Sequence, residues 1–74
     1  MEFNDEKDFL IAFGKNIRKL RLSKGYTQED LANELDIEIS QVSRIERGII
    51  NTSVSNLYNI SQILKVNISE LFDF

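Results

Sequence analysis

Apolar residues recur every three or four positions along most of the chain, the spacing of amphipathic helices. Phe9, Leu10, Phe13, Ile17 and Leu20 form one stripe and predict a long first helix. Gly25 stands where a left-handed C′ residue ends such a helix, and Arg21 and Lys24 suit its negative dipole end. Thr27 is a good N-cap for a second helix, with Glu29 and Asp30 at its positive end. Leu31, Ala32 and Leu35 form its apolar face, and it runs out near Asp36. A third helix is predicted over 39–47, stopped by Gly48. Val42 and Ile45 point to one side of it. Ile39, Ser40, Ser43, Arg44 and Arg47 fall within an arc of roughly 140° on the other. Glu38 makes the start of this helix hard to place. Asn51-Thr52-Ser53 caps a fourth helix, whose buried face is Val54, Leu57, Ile60 and Leu64. Asn67-Ile68-Ser69-Glu70 has the spacing of a capping box and opens a last short turn burying Ile68 and Leu71. The pattern predicts one all-α domain over 1–74 with five helices, and residues 1–8 as a loose N-terminal segment.

Composition narrows the function classes. The chain has 74 residues, so only about 60% of its unfolded surface is buried on folding and stability is marginal. It has no cysteine, which excludes a disulfide, a thiolate metal site and a thiol nucleophile. It has no histidine, the commonest general base and zinc ligand. There is no glycine-rich phosphate loop, and a substrate cleft would take core volume that so short a chain lacks. These observations predict a non-enzymatic protein with no cofactor, metal or small-molecule ligand. No apolar run approaches the roughly 18 residues of a membrane span. The acidic start, Met1 to Glu6, is unlike a signal peptide. A cytoplasmic protein with no membrane partner is expected.

The net charge of −3 argues against nucleic-acid binding, but its distribution argues the other way. Residues 1–13 carry −3, 14–24 carry +5, 25–38 carry −5, 39–52 carry +1 and 53–74 carry −1. The basic run is Lys15, Arg18, Lys19, Arg21 and Lys24, with no acid among them. Segregation of this kind gives different faces different work. Residues 27–48 have the layout of a helix-turn-helix: a short helix, a tight turn near Asp36-Ile37, and a second short helix with small or hydrogen-bonding groups outside. The same pattern equally suits a plain helical bundle with a polar exterior.

Resemblance separates these two readings. The stretches that carry it are Gly14-Lys15-Asn16-Ile17-Arg18-Lys19-Leu20-Arg21, Gly25-Tyr26-Thr27-Gln28-Glu29-Asp30-Leu31-Ala32 and Val42-Ser43-Arg44-Ile45-Glu46-Arg47-Gly48. Together with Leu57 through Leu64 and Val66-Asn67-Ile68-Ser69-Glu70-Leu71-Phe72, they resemble the Cro and lambda-repressor type (Xre-type) helix-turn-helix family. The likeness runs from about Phe13 to Phe72. It implies a compact five-helix DNA-binding domain that regulates transcription as a homodimer on a palindromic operator. Three positions depart from the family's habit. Asp36 replaces a turn glycine, Glu38-Ile39 replace Ser or Thr and Gln at the start of the recognition helix, and Thr52 replaces a frequent proline.

The resemblance also implies roles for residues. Gln28 would hold a backbone phosphate in the first turn of helix two, and Thr27, Arg47 and the amides around Asn51 and Thr52 would add further backbone contacts. Two accounts fit Arg18 and Lys24, which either extend the electrostatic footprint or keep the surface soluble. Arg21 falls on the buried stripe of helix one, where an unpaired guanidinium would be very costly. The family pairs an arginine and a glutamate at these positions, so Arg21–Glu46 is expected to be a structural ion pair. Base reading would fall to Glu38, Ile39, Ser40, Ser43 and Arg44. Arg44 can fork onto guanine, and Ile39 can cover a thymine methyl. Glu38 either accepts from a cytosine amine or repels phosphate. Ile63, taken to lie off the buried stripe, and Phe72 and Phe74 are expected at a dimer interface. The rival reading is a protein-interaction module that keeps the fold without DNA affinity, favoured by the net charge, Glu38 and the acidic second helix.

Overall fold

The computed structural model describes residues 3–74. Four α-helices and a closing 3-10 turn account for most of it: α1 (Glu6–Ser23), α2 (Gln28–Leu35), α3 (Ile39–Glu46), α4 (Val54–Leu64) and η1 (Ile68–Phe72). The fifth expected helix is thus a 3-10 turn, in keeping with its short sequence.

The helix ends follow local chemistry. The Asp5 side chain accepts from Asp8 N–H at 3.0 Å, so α1 starts at Glu6. The segment expected to be loose is therefore helical from Glu6, and Phe3 meets Phe9 edge-on with ring centres 5.4 Å apart. Met1 and Glu2 lie outside the described residues. Thr27 and Asp30 form a reciprocal box at the start of α2: the Thr27 hydroxyl accepts from Asp30 N–H, and the Asp30 carboxylate accepts from Thr27 N–H, each at 2.9 Å. Asp36 ends α2 in the left-handed region at φ 58°, which aspartate tolerates better than most residues. Glu38 precedes α3 without capping it. Ser53 caps α4, accepting from Asn56 N–H at 3.1 Å. Glu70 accepts from Asn67 N–H at 2.7 Å and closes the start of η1.

Phe13, Ile17, Ile45, Ile60, Leu64 and Leu71 make the main core, and Leu31, Ala32 and Val42 a second cluster between α2 and α3. Asn16 is buried in the first of these regions. Its amide donates to the carbonyls of Glu70 and Leu71, each at 2.9 Å, which fastens η1 to α1. Among the described residues, no buried side-chain polar atom lacks a partner.

Three burial expectations fail. Val54, the first residue of α4, is 78% exposed. Ile68 is 43% exposed, and in so short a turn only Leu71 reaches the centre. Ile63 packs against both clusters instead of standing off the core, since α4 meets α2 on one side and η1 on the other. Phe74 is also half-buried, against Phe3, Phe9 and Phe13.

Two glycines set how closely α3 meets α1. A Cβ on Gly14 would strike the carbonyls of Ile45 and Glu46 at the end of α3, the latter oxygen at 2.5 Å. A Cβ on Gly48 would lie 2.6 Å from Ile11 Cα. The end of the third helix and the loop after it therefore rest backbone-to-backbone on the first helix.

Candidate nucleic-acid interface

A groove of about 550 Å³ opens where α1, the start of α2 and the end of α3 converge. Its lining includes Lys15, Arg18, Arg21, Gln28, Ser43, Glu46 and Arg47. At its floor lies the expected ion pair. Arg21 Nε donates to Glu46 Oε2 at 2.6 Å and Nη2 to Oε1 at 3.0 Å. Both side chains are almost wholly buried, 6% and 3% exposed. Arg21 Nη1 also donates to the Tyr26 carbonyl at 2.8 Å, which ties the turn after α1 to the same guanidinium. With this third bond each of the three guanidinium nitrogens has an acceptor.

Gln28 Nε2 donates to Glu46 Oε1 at 3.1 Å. One amide hydrogen is thus spent inside the protein, and the other, with Oε1, remains for the groove. The ion pair positions Gln28 as well as α3. Because Arg21 neutralises Glu46, the lining keeps three cations, Lys15, Arg18 and Arg47, that form no ion pair among the described residues. Arg47 folds back along its own helix, Nε donating to the Ser43 carbonyl at 3.3 Å.

The expected base-reading set divides. Glu38, Ile39, Ser40 and Arg44 are exposed, Ile39 at 47%. Ser43 is half-buried and lines the groove, so it sits at the junction of the outer face of α3 and the cationic wall. The expected backbone set divides too. Gln28, Arg18 and Arg47 meet in the groove. Thr27 is engaged in the capping box, and Lys24 caps α1 and does not line the groove. Asn51 and Thr52 lie in the loop after α3, Thr52 accepting from Asn56 Nδ2 at 3.0 Å and Asn51 donating to Glu6 Oε1 at 3.5 Å.

Lys15 is the charged groove residue that the sequence reading named in the basic run but gave no contact role. Its signal was present in the helical spacing, since Ile11, Lys15 and Arg18 follow one another at four and three and so share a face of α1. The Asp30 carboxyl is held below the usual carboxylate range, first by the Thr27 backbone N–H and second by its hydroxyl.

A helix-turn-helix family model matches residues 17–71. The control protein C.BamHI of Bacillus amyloliquefaciens is 43% identical over 65 residues, covering 86% of this chain and 80% of the relative. The crystal structure of the restriction-modification controller protein C.AhdI from Aeromonas hydrophila superposes with a TM-score of 0.88 at 36% identity, over 93% of this chain and 100% of that one. SinR, a master regulator for biofilm formation solved in complex with DNA, superposes with a TM-score of 0.75 at 34% identity, over 82% and 98% of the two chains.

Proposed function

The chain belongs to the helix-turn-helix family of DNA-binding transcriptional regulators, and on that premise we propose that it binds a palindromic operator as a homodimer, with α3 in the major groove of each half-site. The cationic groove carries this reading. In a chain of net charge −3, Lys15, Arg18 and Arg47 gather beside the exposed face of the proposed reading helix. Phosphate lying there would meet Gln28, whose amide is already aimed by Glu46. Lys24, Thr27, Asn51 and Thr52 extend the backbone contacts on either side. Arg44 reads guanine, and Ile39, Ser40, Ser43 and Glu38 shape the rest of the preference.

A recognition helix of eight residues touches few base pairs, which favours two copies with half-sites roughly 34 Å apart. Phe72 remains exposed, and Val54 and Tyr58 stand four apart on α4, so among the exposed large side chains these three are assigned to the second copy. The relatives named as control and controller proteins favour control of a restriction-modification system, acting in the cytoplasm.

Titration against a random duplex at several salt concentrations tests the reading, followed by selection of bound genomic fragments. The expected result is salt-sensitive binding to random DNA, with tighter binding of two chains to a selected two-fold site. An absence of binding to any duplex at low salt overturns it and leaves the interaction-module reading. One chain per selected site overturns the dimer.

A further inference from the structure

The acidic start of the chain folds against the loop assigned above to the DNA backbone. Glu6, the first residue of α1, shares a hollow with Arg47, Gly48 and Ile49. Its Oε1 accepts from Asn51 Nδ2. The close approach of Gly48 to Ile11 holds this end of α1 against the loop, so the placement of Glu6 is set by backbone packing and not by chance contact of two long side chains. The bond itself is weak. At 3.5 Å it exceeds the usual 2.7–3.2 Å for an N–H···O bond, and both residues are exposed.

Two other carboxylates are bonded to members of the phosphate set, Asp30 to the Thr27 main-chain N–H in the capping box and Glu46 to the Gln28 side chain, and Glu6 differs from Glu46 in one respect. Glu46 is neutralised by Arg21, whereas among the described residues Glu6 has no cation within ion-pair distance. A carboxylate and a phosphodiester are both anionic acceptors, and they compete for the same amide. We propose that Glu6 limits affinity for the DNA backbone: it occupies Asn51, and its charge repels the phosphate that Asn51 would hold. Backbone binding then requires the Glu6–Asn51 contact to open. The device weakens the sequence-independent part of binding, so that base contacts made by α3 decide more of the outcome. This inference rests on the reading of Asn51 as a contact to the DNA backbone, and takes its side-chain amide as a donor to that phosphate beside the main-chain amides.

The test is a double-mutant cycle on the full chain, with Kd measured on a selected site and on a random duplex. Glu6→Gln should tighten both by about fivefold, the effect of one like charge at about 4 Å in water. The gain should shrink as salt rises. In an Asn51→Ala background the gain from Glu6→Gln should shrink, because no side-chain amide is left to free and only the repulsion of charge is relieved. Glu34→Gln, an exposed acid grouped with Tyr26 and Asn33, serves as the control for net charge and should give no comparable gain. Thermal melts check that each variant folds. The proposal is overturned if Glu6→Gln binds as the parent does, if its gain persists in full without the Asn51 amide, or if Glu34→Gln gains as much. Failure of the DNA-binding reading looks different: the parent chain itself then binds neither duplex.

Discussion

Removing the Glu46 carboxylate tests whether the ion pair under the groove carries the weight its geometry implies. In Glu46→Ala, Arg21 loses two charge-assisted bonds, at 2.6 and 3.0 Å, and keeps only the Tyr26 carbonyl. Its side chain is 6% exposed, so water cannot replace the lost acceptor without opening the structure. Breaking a buried pair from one side costs about 3–5 kcal/mol, because a desolvated charge is left behind. A domain of this length has about 4–11 kcal/mol in total. The variant should therefore lose a large share of its stability. With a urea dependence near 1 kcal/mol per molar, the unfolding midpoint should fall by about 3 M or more, read by far-UV circular dichroism.

Arg21→Met combined with Glu46→Leu removes both charges and keeps the volume. This variant should recover most of the lost stability, since buried pairs replaced by apolar groups are often neutral or better. It should not recover DNA affinity, because Gln28 then has no carboxylate to aim it. A loss under about 1 kcal/mol for Glu46→Ala would refute the argument, as that is the size of an exposed pair. A double variant as unstable as the single one would show that geometry, and not the stranded charge, was at stake.

Arg44→Ala should cost about 1–3 kcal/mol on a selected site and relax preference at one base pair per half-site, with a smaller effect on random duplex. Gln28→Ala should weaken both duplexes by similar factors with base preference unchanged, whereas Lys15→Ala should also lower the salt slope by about one. Gly14→Ala should destabilise despite a gain of about 1 kcal/mol in helix propensity. Its Cβ meets backbone carbonyls of α3 that cannot rotate away, and overpacking of this kind costs about 1–3 kcal/mol in urea unfolding. The lowered Asp30 value predicts a pH effect. Its contribution is fully present above the ordinary value of 3.8 and is lost as pH falls through the lower native value. Asp30→Asn should flatten that part of the acid limb of a urea midpoint–pH profile, and an unchanged limb would show that the box is not held in solution.

Much of the fold was legible because helix ends are local events. Thr27, Ser53, Gly25 and Asp36 each act within four residues of where they stand, and each ends or starts a helix where its chemistry predicts. The Arg21–Glu46 pair was legible for a different reason: an arginine on a buried stripe needs a partner, and the resemblance supplied one. The start of α1 was missed because Asp5 lies before the apolar stripe, where periodicity has nothing to register. The width of the buried face of α4 was missed because it depends on two neighbours, α2 and η1, that the helix's own sequence does not mention.

The groove shows most clearly where single-helix reading stops. Lys15 and Arg18 belong to α1, Gln28 to α2, and Ser43 and Arg47 to α3 and its cap. Each alone is an ordinary polar residue on a helix surface. They become one surface only because Gly14 and Gly48 let the end of α3 rest on α1 without a side chain between them. Those glycines carry no charge and make no contact with DNA in the proposed reading, yet they decide whether three cations act together. Glu46 completes the arrangement by turning inward. Were it exposed, it would cancel a cation of the groove; buried against Arg21, it cancels a charge the core could not otherwise hold and aims Gln28 at the same time. A chain of net charge −3 can thus present a cationic wall, because what a backbone phosphate meets is set by how the helices cross, and not by the sum over the sequence.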